Sequence, residues 1–148
     1  MFREETLDNG LRIVAEIEES AVTAGMGFFV RTGARDEPSE IMGVSHFLEH
    51  MMFKGTERRS AEEIDRAFDD LGAEHNAFTT GEMTAFWTAG LPEVLPECQD
   101  ILSDILRPSL RQEDFDAEKG VILEEIAMYD DQPFWVLYER TMEQCFSS

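Results

Sequence analysis

Residues 3 to 17 alternate apolar and polar side chains on either side of Asp8-Asn9-Gly10. A period of two with an Asn-Gly turn at its centre predicts a β-hairpin between Thr6-Leu7 and Leu11-Arg-Ile-Val-Ala15. Val22 to Thr32 reads as a third strand, with Gly25 and Gly27 marking close backbone approach. A polar loop, Gly33 to Glu40, leads into the apolar run Val44-Ser-His-Phe-Leu-Glu-His-Met-Met-Phe53, a helix that ends at Lys54-Gly55-Thr56. Its neighbours are apolar almost all round, which predicts a buried helix.

Ser60-Ala-Glu-Glu63 is a capping box, so a second helix should run from about 61 to Leu71 and stop at Gly72. Ala73 to Thr79 and Met83 to Gly90 read as strands joined through Thr80-Gly81-Glu82. Pro92 opens a helix lasting to about Leu106, before Pro108. A long helix follows from about Gln112 to Asp130, despite Gly120, and Gln132-Pro133 separates it from a last one over Phe134 to Cys145. The order βββ-αα-ββ-ααα predicts an α+β fold, a mixed and largely antiparallel sheet packed against helices.

Length and composition bound this picture without altering it. A chain of 148 residues with 43% hydrophobic content fits one folded domain, residues 1–148, with a real core. The net charge of −20, from 12 basic and 32 acidic residues, argues against nucleic acid as a partner. It would favour cationic peptides, although acidic helix faces that keep the chain soluble account for it equally well. No long uncharged apolar run predicts a membrane span, and the N-terminus has no signal-peptide core. Cys98 and Cys145 form no C-x-x-C pair and read as reduced thiols, so a cytoplasmic setting is expected.

The apolar run at 44–53 carries the chemistry. His46 and His50 are two of only three histidines, four residues apart on a helix and so on one face. Glu49 lies about 100° around the axis from His50. Two neutral imidazoles can hold one Zn²⁺ while an acid reaches a water beside it. The order H-x-x-E-H is the inverzincin pattern, and chance alone would place it in such a chain on the order of once in a hundred. The bland reading is a pair of polar residues on a partly exposed helix face, with Glu49 in a helical ion pair. The apolar neighbours weigh against it, because buried imidazoles need partners.

A catalytic zinc usually keeps three protein ligands and an open position. His75 lies in a strand, where a surface or hydrogen-bonding role is the default. Glu125 is a better third ligand: it and Glu118 stand two turns apart on one face of the long helix with Val121, Ile122 and Met128, while Glu124 points about 100° away. A structural zinc module is disfavoured, since such sites close with four Cys or His ligands.

From about Leu7 to Cys145 the chain resembles the pitrilysin and mitochondrial-processing-peptidase family, specifically the N-terminal half of its shorter bacterial members. The matching segments stand in family order: Leu7-Asp-Asn-Gly-Leu-Arg12, Gly33-Ala-Arg-Asp-Glu37, Gly43 to Thr56, Asn76-Ala-Phe-Thr79 and Val121-Ile-Leu-Glu-Glu-Ile126. Glu125 lies 75 residues beyond His50, the kind of separation the family uses. The resemblance implies a zinc endopeptidase acting on extended peptides or small unfolded proteins, with a processing-peptidase-like fold. It makes His46, His50 and Glu125 the zinc ligands, Glu49 the general base and Glu118 a group supporting the site. Asn76 and Ala77 match a strand along which peptide substrate pairs. Glu82 and Thr84 also fit the pattern and read as structural.

The family continues beyond such a segment, and a homologous C-terminal domain or partner subunit closes over the site. The resemblance therefore implies a truncated N-terminal domain that binds zinc but cleaves peptides poorly alone, from a parent acting as a homo- or heterodimer. The alternative is a non-catalytic scaffold subunit of a peptidase-like complex, which the family also contains. The intact His46, Glu49, His50 and Glu125 weigh against it.

Overall fold

Alternation over the first residues does produce a hairpin. Strand β1 (Phe2–Thr6) pairs antiparallel with β2 (Arg12–Glu16), and Gly10 in the connecting turn has φ of 86°, a conformation that glycine adopts without steric cost. The computed structural model describes residues 1–146. Ser147 and Ser148, which close the 1–148 span read from the sequence, lie outside the described residues.

Strand β3 (Ala24–Val30) does not join that hairpin, although it follows it in the chain. It pairs with β5 (Thr84–Gly90), which pairs on its other side with β4 (Glu74–Thr79). The strands therefore form two sheets, β1-β2 and β3-β5-β4, and every pairing among the described residues is antiparallel. The expected α+β class and antiparallel character hold. The division into two sheets was not foreseen, because alternation reports a strand's faces and not its neighbour.

The core forms where α2 (Ala61–Leu71) and α3 (Leu95–Ile105) lie against the three-stranded sheet. Ile64 and Phe68 from α2, Phe86 from β5, and Cys98, Ile101, Leu102 and Ile105 from α3 fill it. The capping box predicted for α2 is present in both directions: Glu63 N–H donates to Ser60 Oγ at 3.2 Å, and Ser60 N–H donates to Glu63 Oε2 at 2.8 Å. Gly72 ends the helix in the left-handed region, as its position predicts. The helix expected from Pro92 opens with a 3-10 turn, Pro92–Val94, before α3 begins.

The loop after the histidine-bearing helix is tied to α3 by charge. Asp104, almost fully buried, accepts from Thr56 Oγ1 at 2.9 Å and from Arg59 Nη1 at 2.6 Å. Asp100 accepts from Arg58 at 3.0 and 2.8 Å and from Arg59 at 2.6 Å. These hydrogen bonds, that from Arg58 first, lower the Asp100 pKa from 3.8 to about 2. A folded-state value below the unfolded one means the stabilisation is fully present above pH 3.8 and is lost as pH falls through about 2. Asp100 is half exposed, so solvent screening limits the effect to about 1 kcal/mol. Asp100→Asn is expected to melt up to about 4 °C below wild type at pH 6, with the gap closing towards pH 2. Thermal denaturation at the two pH values checks this, and a gap of equal size at pH 2 would refute it.

Candidate metal centre

Helix α1 (Val44–Met52) begins at Gly43, whose φ of 94° turns the chain sharply into the helix. The sequence offers no capping side chain at that position. Glu37 supplies one from the preceding loop: its carboxylate accepts from Gly43 N–H at 2.6 Å and from Ser45 N–H at 2.7 Å. Those two donors would otherwise be unpaired at the helix start, and a carboxylate there also complements the helix dipole. The bonds from Ser45 and Gly43 hold the Glu37 carboxyl below its ordinary pKa. The loop is itself fixed, because Ala34 and Arg35 donate their N–H groups to the carbonyls of Thr80 and Gly81. Only a glycine fits at 33, since a Cβ there would collide with the Thr80 carbonyl.

The expectation that α1 is buried all round is not met. Met51 is buried, and Phe47, Met52 and Phe53 are half-buried, but Val44 and Leu48 are exposed. Helix α1 packs against β4, β5 and α4 (Gln112–Asp130), which leave Val44 and Leu48 uncovered. In α4 the face carrying Glu118 and Glu125 includes half-buried Ile122, whereas Val121 and Met128 are exposed. Runs of apolar residues in a sequence signal burial against something; which surfaces meet depends on how the helices cross.

At the α1–α4 contact three predicted residues converge. His46 Nε2 and His50 Nε2 lie 3.2 Å apart. Glu125 Oε2 is 3.8 Å from the first and 3.4 Å from the second. Four ligands about 2.0–2.1 Å from a tetrahedral ion stand roughly 3.3–3.4 Å from one another, so these three atoms are spaced as three corners of such a shell. Among the described residues this is the one set of His, Cys, Asp and Glu side chains that could hold a metal ion. All three side chains remain partly open to solvent.

Glu118 acts from behind this set. It is 3% exposed, the one buried residue of α4, and its Oε1 lies 2.8 Å from His50 Nδ1. With the carboxylate accepting at Nδ1–H, a neutral His50 keeps its lone pair at Nε2, directed at His46 and Glu125. Lys54, from the turn after α1, donates to Glu118 Oε2 at 2.6 Å. Burial pushes the Glu118 carboxyl up, but the hydrogen bonds and charges of Lys54 and His50 outweigh it and hold the pKa below its ordinary value. The donor set thus comprises two imidazoles, an anionic oxygen and a carboxylate that fixes one ring, chemistry suited to a borderline-soft divalent cation.

The other predicted residues fall into two groups. Glu49 is on α1 but turned towards β4, where its Oε2 accepts a hydrogen bond from Thr79 Oγ1 at 2.5 Å. Asn76 and Ala77 lie on the same strand, and β4 pairs only with β5 among the described residues, so its other edge has no strand beside it. Asn76 is exposed in mid-strand, and its side-chain oxygen accepts from Ala77 N–H at 2.8 Å. His75 is apart from the set: it is half-buried and stacked on Phe68 with centroids 4.1 Å apart, a packing role where a surface or hydrogen-bonding one is expected. Glu124 is exposed. Glu82 pairs with Arg35, and buried Thr84 donates to the Thr32 carbonyl at 2.9 Å, both structural roles.

The sequence does not single out Lys54 or Thr79. Period-two alternation places residues 75, 77 and 79 on one face of β4, a signal that bears on Thr79. Nothing local connects Lys54 with Glu118.

Known proteins extend the comparison. The family model described as Insulinase (Peptidase family M16) matches residues 12–147. A zinc protease of Streptomyces coelicolor is 46% identical over 132 residues, covering 88% of this chain and 29% of that protein. A zinc protease of Bacillus subtilis is 41% identical over 140 residues, 94% of this chain and 34% of that one. The β subunit of the Neurospora crassa mitochondrial-processing peptidase is 36% identical over 135 residues, 90% of this chain and 28% of that subunit. A crystal structure of a Helicobacter pylori protease superposes with a TM-score of 0.90 at 26% identity, over 97% of this chain and 35% of that one. The chain thus spans about a third of the length of the relatives it matches. Ordered motifs, an antiparallel α+β fold and a match over most of its residues agree: the chain belongs to the insulinase family of peptidases, family M16.

Proposed function

We propose that this chain forms the zinc-bearing part of a metalloendopeptidase that hydrolyses extended peptides. The observation that carries the reading is the mutual spacing of His46 Nε2, His50 Nε2 and Glu125 Oε2, which fits three ligands of a tetrahedral zinc. The relatives named zinc proteases support the choice of ion. Zinc, when bound, lowers the pKa of water and polarises the scissile carbonyl. Glu49 takes a proton from the attacking water and passes it to the leaving amine. Glu118 holds the His50 ring in orientation and keeps Nε2 free to bind.

The unpaired edge of β4 offers main-chain donors and acceptors to an extended peptide, with Asn76 and Ala77 at its middle. Such a peptide would replace the Asn76 side chain as acceptor of the Ala77 N–H. A peptide added there would run alongside the strand whose Thr79 touches Glu49. A homologous domain or partner subunit completes the chamber, in line with the relative named as one subunit of a processing peptidase. On this reading residues 1–148 are an N-terminal zinc-binding domain, able to bind zinc but slow to cleave peptides alone.

The test is cleavage of a quenched fluorescent peptide library by the full-length protein carrying this chain, with zinc measured in the same sample. We expect about one zinc per chain, cleavage abolished by chelation and restored by zinc. Stoichiometric zinc without cleavage, or cleavage insensitive to chelators, would overturn the proposal; the first outcome favours a scaffold subunit. No helix of the described residues is long and apolar enough to cross a membrane.

A further inference from the structure

Glu49 has two carboxylate oxygens, and the fold treats them differently. Oε2 accepts from Thr79 Oγ1, while no hydrogen bond to Oε1 occurs among the described residues. Whether that pairing is incidental depends on where the single hydroxyl proton of Thr79 can go. Two acceptors are within reach: Glu49 Oε2 at 2.5 Å and Thr84 Oγ1 at 3.5 Å. Thr84 stands directly opposite Thr79 in the β4–β5 register, and its own proton is committed to the Thr32 carbonyl. It can therefore only receive from Thr79, at the limiting distance for a hydrogen bond. The shorter, charge-assisted bond to the carboxylate wins.

The donor is also held rigidly. Thr79 is β-branched on a paired strand, which restricts its χ1, and Thr84 behind it is buried. Glu49, by contrast, has three side-chain torsions and sits on a half-buried helix face. Resting on the assignment of Glu49 as general base, we infer that Thr79 is a positioning residue for this reaction. It anchors Oε2, so that Oε1 is the oxygen presented to the attacking water.

The carboxylate needs this hold because proton transfer requires hydrogen-bond reach in a defined direction. Misplacement of a reacting group by about 1 Å costs up to roughly a hundredfold in rate. Thr79→Val removes the hydroxyl and keeps the shape. Thr79→Ser keeps the hydroxyl.

The experiment uses the full-length, zinc-loaded protein, with melting temperature as a check on folding. Thr79→Val should lower kcat by about ten- to a hundredfold with KM and zinc content unchanged. Thr79→Ser should restore kcat to within about threefold of wild type, as expected of a group that needs only its hydroxyl. In a Glu49→Gln background, Thr79→Val should cause no further loss. A crystal structure of Thr79→Val should show the Glu49 carboxylate in more than one rotamer. Zinc loss in Thr79→Val, failure of serine to rescue, or an equal loss in the Glu49→Gln background would each overturn the inference. An unaffected Thr79→Val beside an inactive Glu49→Gln would overturn it while leaving the base assignment standing. An active Glu49→Gln would remove both.

Discussion

Glu49→Gln is expected to retain zinc and lose about 10²–10⁴-fold in kcat, the usual contribution of a general base. The substitution is nearly isosteric, so α1 and its contacts with β4 and α4 should persist. A carboxamide oxygen can still accept from Thr79, which preserves the hydrogen bond at Oε2. What the variant cannot do is take up a proton, because a neutral amide is a very weak base. His46, His50 and Glu125 are untouched, so metal content should not fall. Turnover near the wild-type rate in a sample shown free of contaminating protease would remove Glu49 from the mechanism. Parallel loss of zinc and turnover would assign it a structural part instead.

The second large effect concerns the acids of α4, which should rank clearly by zinc affinity. Glu125→Gln withdraws an anionic oxygen placed 3.4–3.8 Å from both imidazole nitrogens and should weaken binding by more than a hundredfold. Glu118→Gln should cost about 10–100-fold, since it weakens the bond that fixes His50 but removes no ligand. Glu124→Gln, on an exposed position one residue away, should change affinity by less than about twofold. Competition with a metal-sensitive chelator reads all three in one titration. Equal losses at 124 and 125 would reverse the ligand assignment.

That ranking shows how unevenly the site could be read in advance. The H-x-x-E-H spacing declares itself, because residues four apart on a helix share a face whatever the rest of the chain does. The place of Glu125 on the Glu118 face favours it over Glu124, and the structure brings it to the histidines. The apolar neighbours are not all buried, however: Val121 and Met128 on α4 are exposed, as are Val44 and Leu48 on α1. An apolar periodicity marks a face of the helix and does not say whether another element covers it. The part played by Lys54 is not legible in the sequence for a related reason. It is 64 residues from Glu118, and only the crossing of α1 and α4 puts its ammonium against that carboxylate.

The elements themselves were legible almost throughout, because the signals that make them are local. Asp8-Asn9-Gly10 turns the first hairpin, Ser60 and Glu63 cap α2, Gly72 ends it, and Pro133 opens the last helix, α5 (Pro133–Phe146). Each depends on backbone preferences within a few residues, so a linear chain records it. The family followed from the same kind of information, since its motifs are short and stand in order. Tertiary structure alone decided that β3 pairs with β5 and not with the hairpin, and that Glu37 folds over from the preceding loop to cap α1. It also decided that Thr79 meets Glu49 across thirty residues. The strand pairing and the Thr79–Glu49 contact join groups distant in the chain. Glu37 is only six to eight residues from the N–H groups it caps, and its contact depends on the fold of the loop between them.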